Sequence, residues 1–122
     1  MSAARVVRLL TEDGTAVCER CEIPGGPLSR MRGLLGRDGL EPGTGMLLER
    51  EPSVHTAFMR FPIDVVFLGK ANTVVKVVHD LRPWRMAGAR RAHAALELPA
   101  GAAAAARLEP GMVLVAEEGA AE

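Results

Sequence analysis

VHTAFMRFPIDVVFLG, residues 54–69, is the stretch whose reading decides the fold. It holds all three phenylalanines and one of the three histidines, with an arginine and an aspartate inside the most apolar run of the chain. From Met59 to Val65 the residues alternate. Met59, Phe61, Ile63 and Val65 fall on one side and Arg60, Pro62 and Asp64 on the other, which predicts a half-buried strand. Pro62, which has no N–H for a ladder, puts that strand at an edge or a bulge. Val65 to Leu68 is apolar on both sides, so the strand is expected to run on into a fully covered position.

Burial of such a run obliges its polar members to find partners. In a straight strand Arg60 and Asp64 share a face but stand roughly 13 Å apart, too far to pair with each other. The economical expectations are an arginine of the first helix for Asp64, or Glu97 for Arg60.

Upstream, Val6 to Leu10 reads as a strand ending at the turn Glu12-Asp13-Gly14, and Thr15 to Ile23 as its return. Pro24-Gly25-Gly26-Pro27 breaks the chain and opens a helix, with Leu28, Met31, Leu34 and Leu35 at helical spacing and Gly36 as its stop. Arg30 and Arg37 lie opposite that apolar stripe, and Arg32 lies at its edge. Met46 to Leu48 is a short buried strand.

Downstream, Gly69 to Asn72 turns the chain and Thr73 to Val78 returns as a hairpin partner. Residues 79–88 read as an irregular loop in which Trp84 is a lid over the core, or alternatively a stacking platform. A strand lies within Ala89 to Leu98. A short alanine helix runs from Gly101 to Arg107, and a last strand from Met112 to Ala116. The expectation is one α+β domain over residues 1–122, mainly antiparallel: a curled sheet or small barrel of about seven short strands with two short helices, frayed at 1–4 and 117–122.

Composition narrows the function classes. Hydrophobic residues make up 48% and charged residues 25%, ordinary globular values that argue against disorder. The 15 basic and 15 acidic residues cancel, which argues against nucleic acid as the main partner. The apolar pieces at the N-terminus are far too short for a signal core or a membrane span, so a cytoplasmic protein without membrane insertion is expected.

Taken in order, SRMRGLLGR (29–37), GMLL (45–48), HTAFMRFPIDVVFL (55–68) and ALELPAGAAAA (95–105) resemble the bacterial and archaeal family called domain of unknown function 192 (DUF192), over about residues 15–115. The resemblance implies a compact, mainly β domain with no assigned activity. The family pattern falls on Arg30, Gly33, Leu34, Arg37, Gly45, Met46, Met59, Pro62, Asp64, Phe67, Leu96, Glu97, Gly101 and Gly111. The chain departs from it at Gly69 and Met112, where members commonly carry aspartate; both positions read as turns.

Cys18-Glu19-Arg20-Cys21 has the spacing of a redox pair or half a zinc site. Without two further ligands at suitable spacing it reads as incidental, and no metal or cofactor is expected. The sharper constellation is Arg30, Arg37, His55, Thr56, Arg60, Asp64 and Glu97. As a polar mouth it would recognise a small anionic or carbohydrate-like group, because guanidinium groups grip carboxylate and phosphate in a fork and His and Thr add adjustable hydrogen bonds. The alternatives are a small hydrolase using His55 with Asp64 or Asp64 with Glu97, and a purely structural component of a larger assembly that exposes an apolar face; on a structural reading of the charged residues themselves they are ion pairs holding helix to sheet. The ligand or protein partner is not named by the sequence.

Overall fold

The computed structural model describes residues 5–25, 34 and 36–118. Nine strands are described: β1 (Arg5–Thr11), β2 (Ala16–Ile23), β3 (Thr44–Glu49), β4 (Ser53–His55), β5 (Ile63–Leu68), β6 (Val74–Leu81), β7 (Met86–Gly88), β8 (Ala94–Pro99) and β9 (Leu114–Glu118). Among the described residues one α-helix occurs, α1 (Ala102–Ala105), besides a 3-10 turn over Lys70–Asn72. The first expected helix, with Arg30, lies outside the described residues except at its end.

Seven strands form one sheet in the order β6-β5-β8-β3-β2-β1-β9, while β4 and β7 make a separate ribbon. The sheet curls into a half-barrel, and at one end its two edges meet through the Thr73–Val113 bridge. Val74 N donates to Met112 O and Gly111 N donates to Val74 O, both at 2.7 Å, so the bridge is tied on both sides. The sheet is mixed: β2 and β3 are parallel, because the chain between them returns to the same end before re-entering. The expectation of a mainly antiparallel curled sheet therefore holds with that one correction.

β5 is buried along its whole length. It lies between β6 and β8, with an apolar cluster on each face of the sheet. Val66 and Leu68 join the first cluster, which β1, β2 and α1 complete; Ile63, Val65 and Phe67 join the second, with Leu34, Val54, Met59 and Phe61. A strand covered on both faces needs a continuous apolar run, which is what this sequence supplies. Each large side chain buried there contributes about 1.5–3 kcal/mol.

The strand expected from Met59 begins only at Ile63, and residues 57–62 form no strand. Phe58 has φ +64°, outside the extended region. The alternation nonetheless gave the correct burial, since Met59, Phe61, Ile63 and Val65 all enter the second cluster. The short β4 was missed, and the loop expected over 79–88 instead contains the end of β6 and all of β7. Glu117 and Glu118, expected to fray, pair with Arg8 and Val7 in the ladder of β9 with β1.

Candidate functional site

Asp64 is fully buried, and its carboxylate is committed to backbone. Oδ1 accepts from Asp80 N at 2.9 Å, and Oδ2 accepts from Gly101 N and Ala103 N, each at 3.0 Å. The geometry follows from the sequence. Between Ile63↔Leu81 and Val65↔Val78 the register slips, so β6 bulges opposite Asp64, and Asp80 takes φ +53° and turns its N–H toward the side chain. Gly101, at φ +94°, delivers the first turn of α1 to the same carboxylate. Asp64 thus welds bulge, strand and helix together. The basic partner expected for it is replaced by three backbone donors.

Glu97 is also buried, at 5% exposure, but on the other face of the sheet. It stands between Met46 and Val65 in the register and is flanked in sequence by Leu96 and Leu98 of the first cluster. Its carboxyl makes no hydrogen bond to another described residue. Burial, with Glu51 nearby, pushes its pKa up to about 7. Because Asp64 and Glu97 point to opposite faces, the structure does not assemble them as a carboxylate pair.

The remaining expected residues disperse. Arg60 is exposed and pairs with Asp38 at 3.0 Å rather than with Glu97. Arg37 meets Glu22 at 3.5 Å. His55 is exposed on β4, opposite Met86 of β7, and is not bonded to Asp64, so the His–Asp pairing is not formed either. Among the described residues these side chains do not come together in a single mouth; Arg30 lies outside them. Among the described residues there is no cluster of three or more His, Cys, Asp or Glu suited to a metal.

Thr56 leads to what the sequence did not single out. It is fully buried, and every polar atom of it engages backbone. Its N–H donates to Arg85 O at 2.8 Å, and its carbonyl accepts from Met59 N at 3.1 Å and Trp84 N at 3.0 Å. Its hydroxyl donates to Arg82 O at 2.5 Å and accepts from Arg85 N at 2.8 Å. One threonine therefore pins two adjacent turns, 56–59 and 82–85.

Those turns carry Phe58, 70% exposed, and Trp84, 60% exposed. Both residues have φ +64°, and their ring centroids lie 4.6 Å apart at a 58° tilt. Trp84 is thus no lid over the core; it packs at a tilt against a second exposed ring instead. Met86, 77% exposed, continues the apolar surface beside His55, while Arg82 and Arg85 flank Trp84 in sequence and are exposed. With aromatics at only 3% of the chain, two of four standing in solvent on left-handed residues is the strongest departure from simple packing. The signal in the sequence was Arg82-Pro83-Trp84-Arg85, but Phe58 sat inside an apparent strand.

The two cysteines are free and buried. An extra residue in β2, between Leu9↔Cys18 and Val7↔Cys21, brings both thiols to the first cluster. A hydrogen bond with Cys21 lowers the pKa of Cys18, while the same bond and burial raise that of Cys21.

Residues 8–116 match the model of the DUF192 family, described as uncharacterized ACR. No curated protein matches the chain. A crystal structure of a protein from Sinorhizobium meliloti 1021, described as a "putative transcription regulator", superposes with TM-score 0.80 at 25% identity, covering 94% of this chain and 95% of that one. A protein of unknown function from Novosphingobium aromaticivorans DSM 12444 superposes with TM-score 0.76 at 22% identity, covering 92% and 84%. No described helix is long and apolar enough to cross a membrane.

Proposed function

We propose that this chain, which belongs to the DUF192 family, is a binding domain whose recognition surface is the aromatic rim of Phe58, Trp84 and Met86 with His55, Arg82 and Arg85. The ligand class is a small anionic or carbohydrate-like group. The observation that carries the reading is the exposed Phe58–Trp84 pair, held on two residues of positive φ by the fully buried Thr56. Keeping two aromatic rings in water on strained turns costs stability, and such strain persists where the surroundings over-determine it. Ring faces suit the apolar face of a sugar, and guanidinium groups suit carboxylate or phosphate. Thr56, and Asp64 through the bulge at Asp80, serve as its foundation rather than its contacts.

Trp84 is the single tryptophan and the chain has no tyrosine, so its emission reports the rim directly. Titration with hexoses, hexuronates and phosphate, paired with thermal shift, is expected to give a saturable change in Trp84 emission and a raised melting temperature. Phe58→Ser should abolish both responses. Emission and melting temperature that stay flat across all three classes would overturn the proposal.

A further inference from the structure

Charge is unevenly placed on this neutral chain. Between Thr56 and His93 stand seven basic residues and two acidic ones, Asp64 and Asp80, and Asp64 is buried and committed to backbone. In the rest of the sheet arginines meet carboxylates: Arg5 with Glu118, Arg8 with Glu19 and Glu117, Arg37 with Glu22. Past Leu81 the matching thins to one long pair. Arg82 has exposed Asp80 at 3.8 Å, and among the described residues Arg85, Arg90 and Arg91 lie in no ion pair.

The chain path lines these cations up. After Trp84 it doubles back beside β6: Lys76 Nζ donates to Gly88 O at 2.7 Å, and Gly69 lies against both the Val75 side chain and the Arg91 carbonyl. The 82–91 segment therefore runs from the end of β6 to its beginning, about 25 Å for a strand of that length. Arg82, Arg85, Lys76, Arg90 and Arg91, all exposed, are thereby spaced along this path as a basic strip in the chain's course, with the Phe58–Trp84 pair near one end.

We infer that strip and rim together dock an extended acidic segment of a partner protein, with one apolar residue seated on the Phe58–Trp84 pair. This rests on the rim reading and names its partner. The strip is far longer than one small anion, so its occupant is a chain whose side-chain carboxylates are the small anionic groups the rim takes. The two rings tilt by 58° against each other, so they do not offer the successive parallel platforms that single-stranded nucleic acid uses. Tryptophan and arginine at one focus are the composition of a protein–protein hot spot.

The test is fluorescence anisotropy with a labelled ten-residue peptide of Asp and Glu around a central Leu, beside a ten-residue oligothymidine. The peptide binds, binds more tightly than the oligothymidine and shifts Trp84 emission. The double variant Arg90→Ala/Arg91→Ala binds the peptide roughly five- to tenfold more weakly, while its Trp84 response to a hexuronate stays that of the wild type. Peptide affinity unchanged in the double variant, or tighter binding of the oligothymidine, overturns the inference and leaves the rim reading standing. A Trp84 emission unmoved by peptide and hexuronate alike removes both.

Discussion

Asp64 Oδ2 lies 3.0 Å from the backbone nitrogen of Gly101, 37 positions along the chain, and the same oxygen holds Ala103 N. With the opposite oxygen on Asp80 N, one side chain satisfies donors from two elements that have no ladder partner for them. α1 spans only four residues and would be marginal without this anchor. Asp64→Ala strands those N–H groups in the core and should destabilise the fold by about 3–5 kcal/mol. Asp64→Asn, which keeps one acceptor oxygen, should lose less. Urea unfolding measures both, and an Asp64→Ala variant of wild-type stability would disprove the anchoring role.

Thr56 holds the rim rather than touching a ligand. Thr56→Val keeps the shape and removes the hydroxyl bonds to Arg82 O and Arg85 N. The expected cost is about 1–3 kcal/mol, since the partners are left unsatisfied. The Trp84 loop should loosen with it, seen as lower tryptophan anisotropy and red-shifted emission. Intact anisotropy with lowered stability would separate the loop's rigidity from Thr56.

Much of the fold was legible because it rests on short-range pattern. The turn at Gly69–Asn72, the alanine helix after Gly101 and the double-sided burial of 65–68 each follow from local chemistry. What failed depends on contacts made far along the chain. Alternation over Met59–Val65 reports burial, and burial is shared by strands and by turns pressed on the core, so it could not reveal that Phe58 turns outward. The polar set was legible as anomalous but not as assigned. Asp64 required a partner, yet backbone N–H groups on Asp80, Gly101 and Ala103 leave no trace in residue identity. Glu97 looked like half of a polar face because nothing in β8 alone says that both faces of the sheet are covered.

Glu97 should make stability fall with rising pH. Its folded pKa of about 7 lies above the usual carboxylate value of about 4.3, so between those values the folded state holds the proton that the unfolded state has released. The proton contribution is complete below about pH 4 and is lost as pH rises toward and past 7, by on the order of 3 kcal/mol in total. The melting temperature should therefore drop between pH 5 and pH 8. Glu97→Gln should flatten that profile and raise stability at pH 8; an identical slope in the variant would assign the dependence elsewhere.

Gly45 shows how closely that carboxyl's strand is packed. It sits in β3 between β2 and β8, opposite Cys21 in the parallel ladder. A Cβ placed on it would stand 2.8 Å from Glu97 O, 3.0 Å from Cys18 Sγ and 3.0 Å from Leu98 Cδ2. The nearest of these is backbone within a ladder, which cannot yield as a side-chain tip can. Gly45→Ala should therefore part β3 from β8 locally and destabilise by about 1–3 kcal/mol. Gly39→Ala is the control, since its Cβ would meet nothing within 4 Å, and it should leave stability almost unchanged. Separation of the strands would also open the first cluster around Cys18, so thiol labelling of native Gly45→Ala should run faster than in wild type. Equal stability of the two alanine variants would show that β3 and β8 have room the structure does not give them.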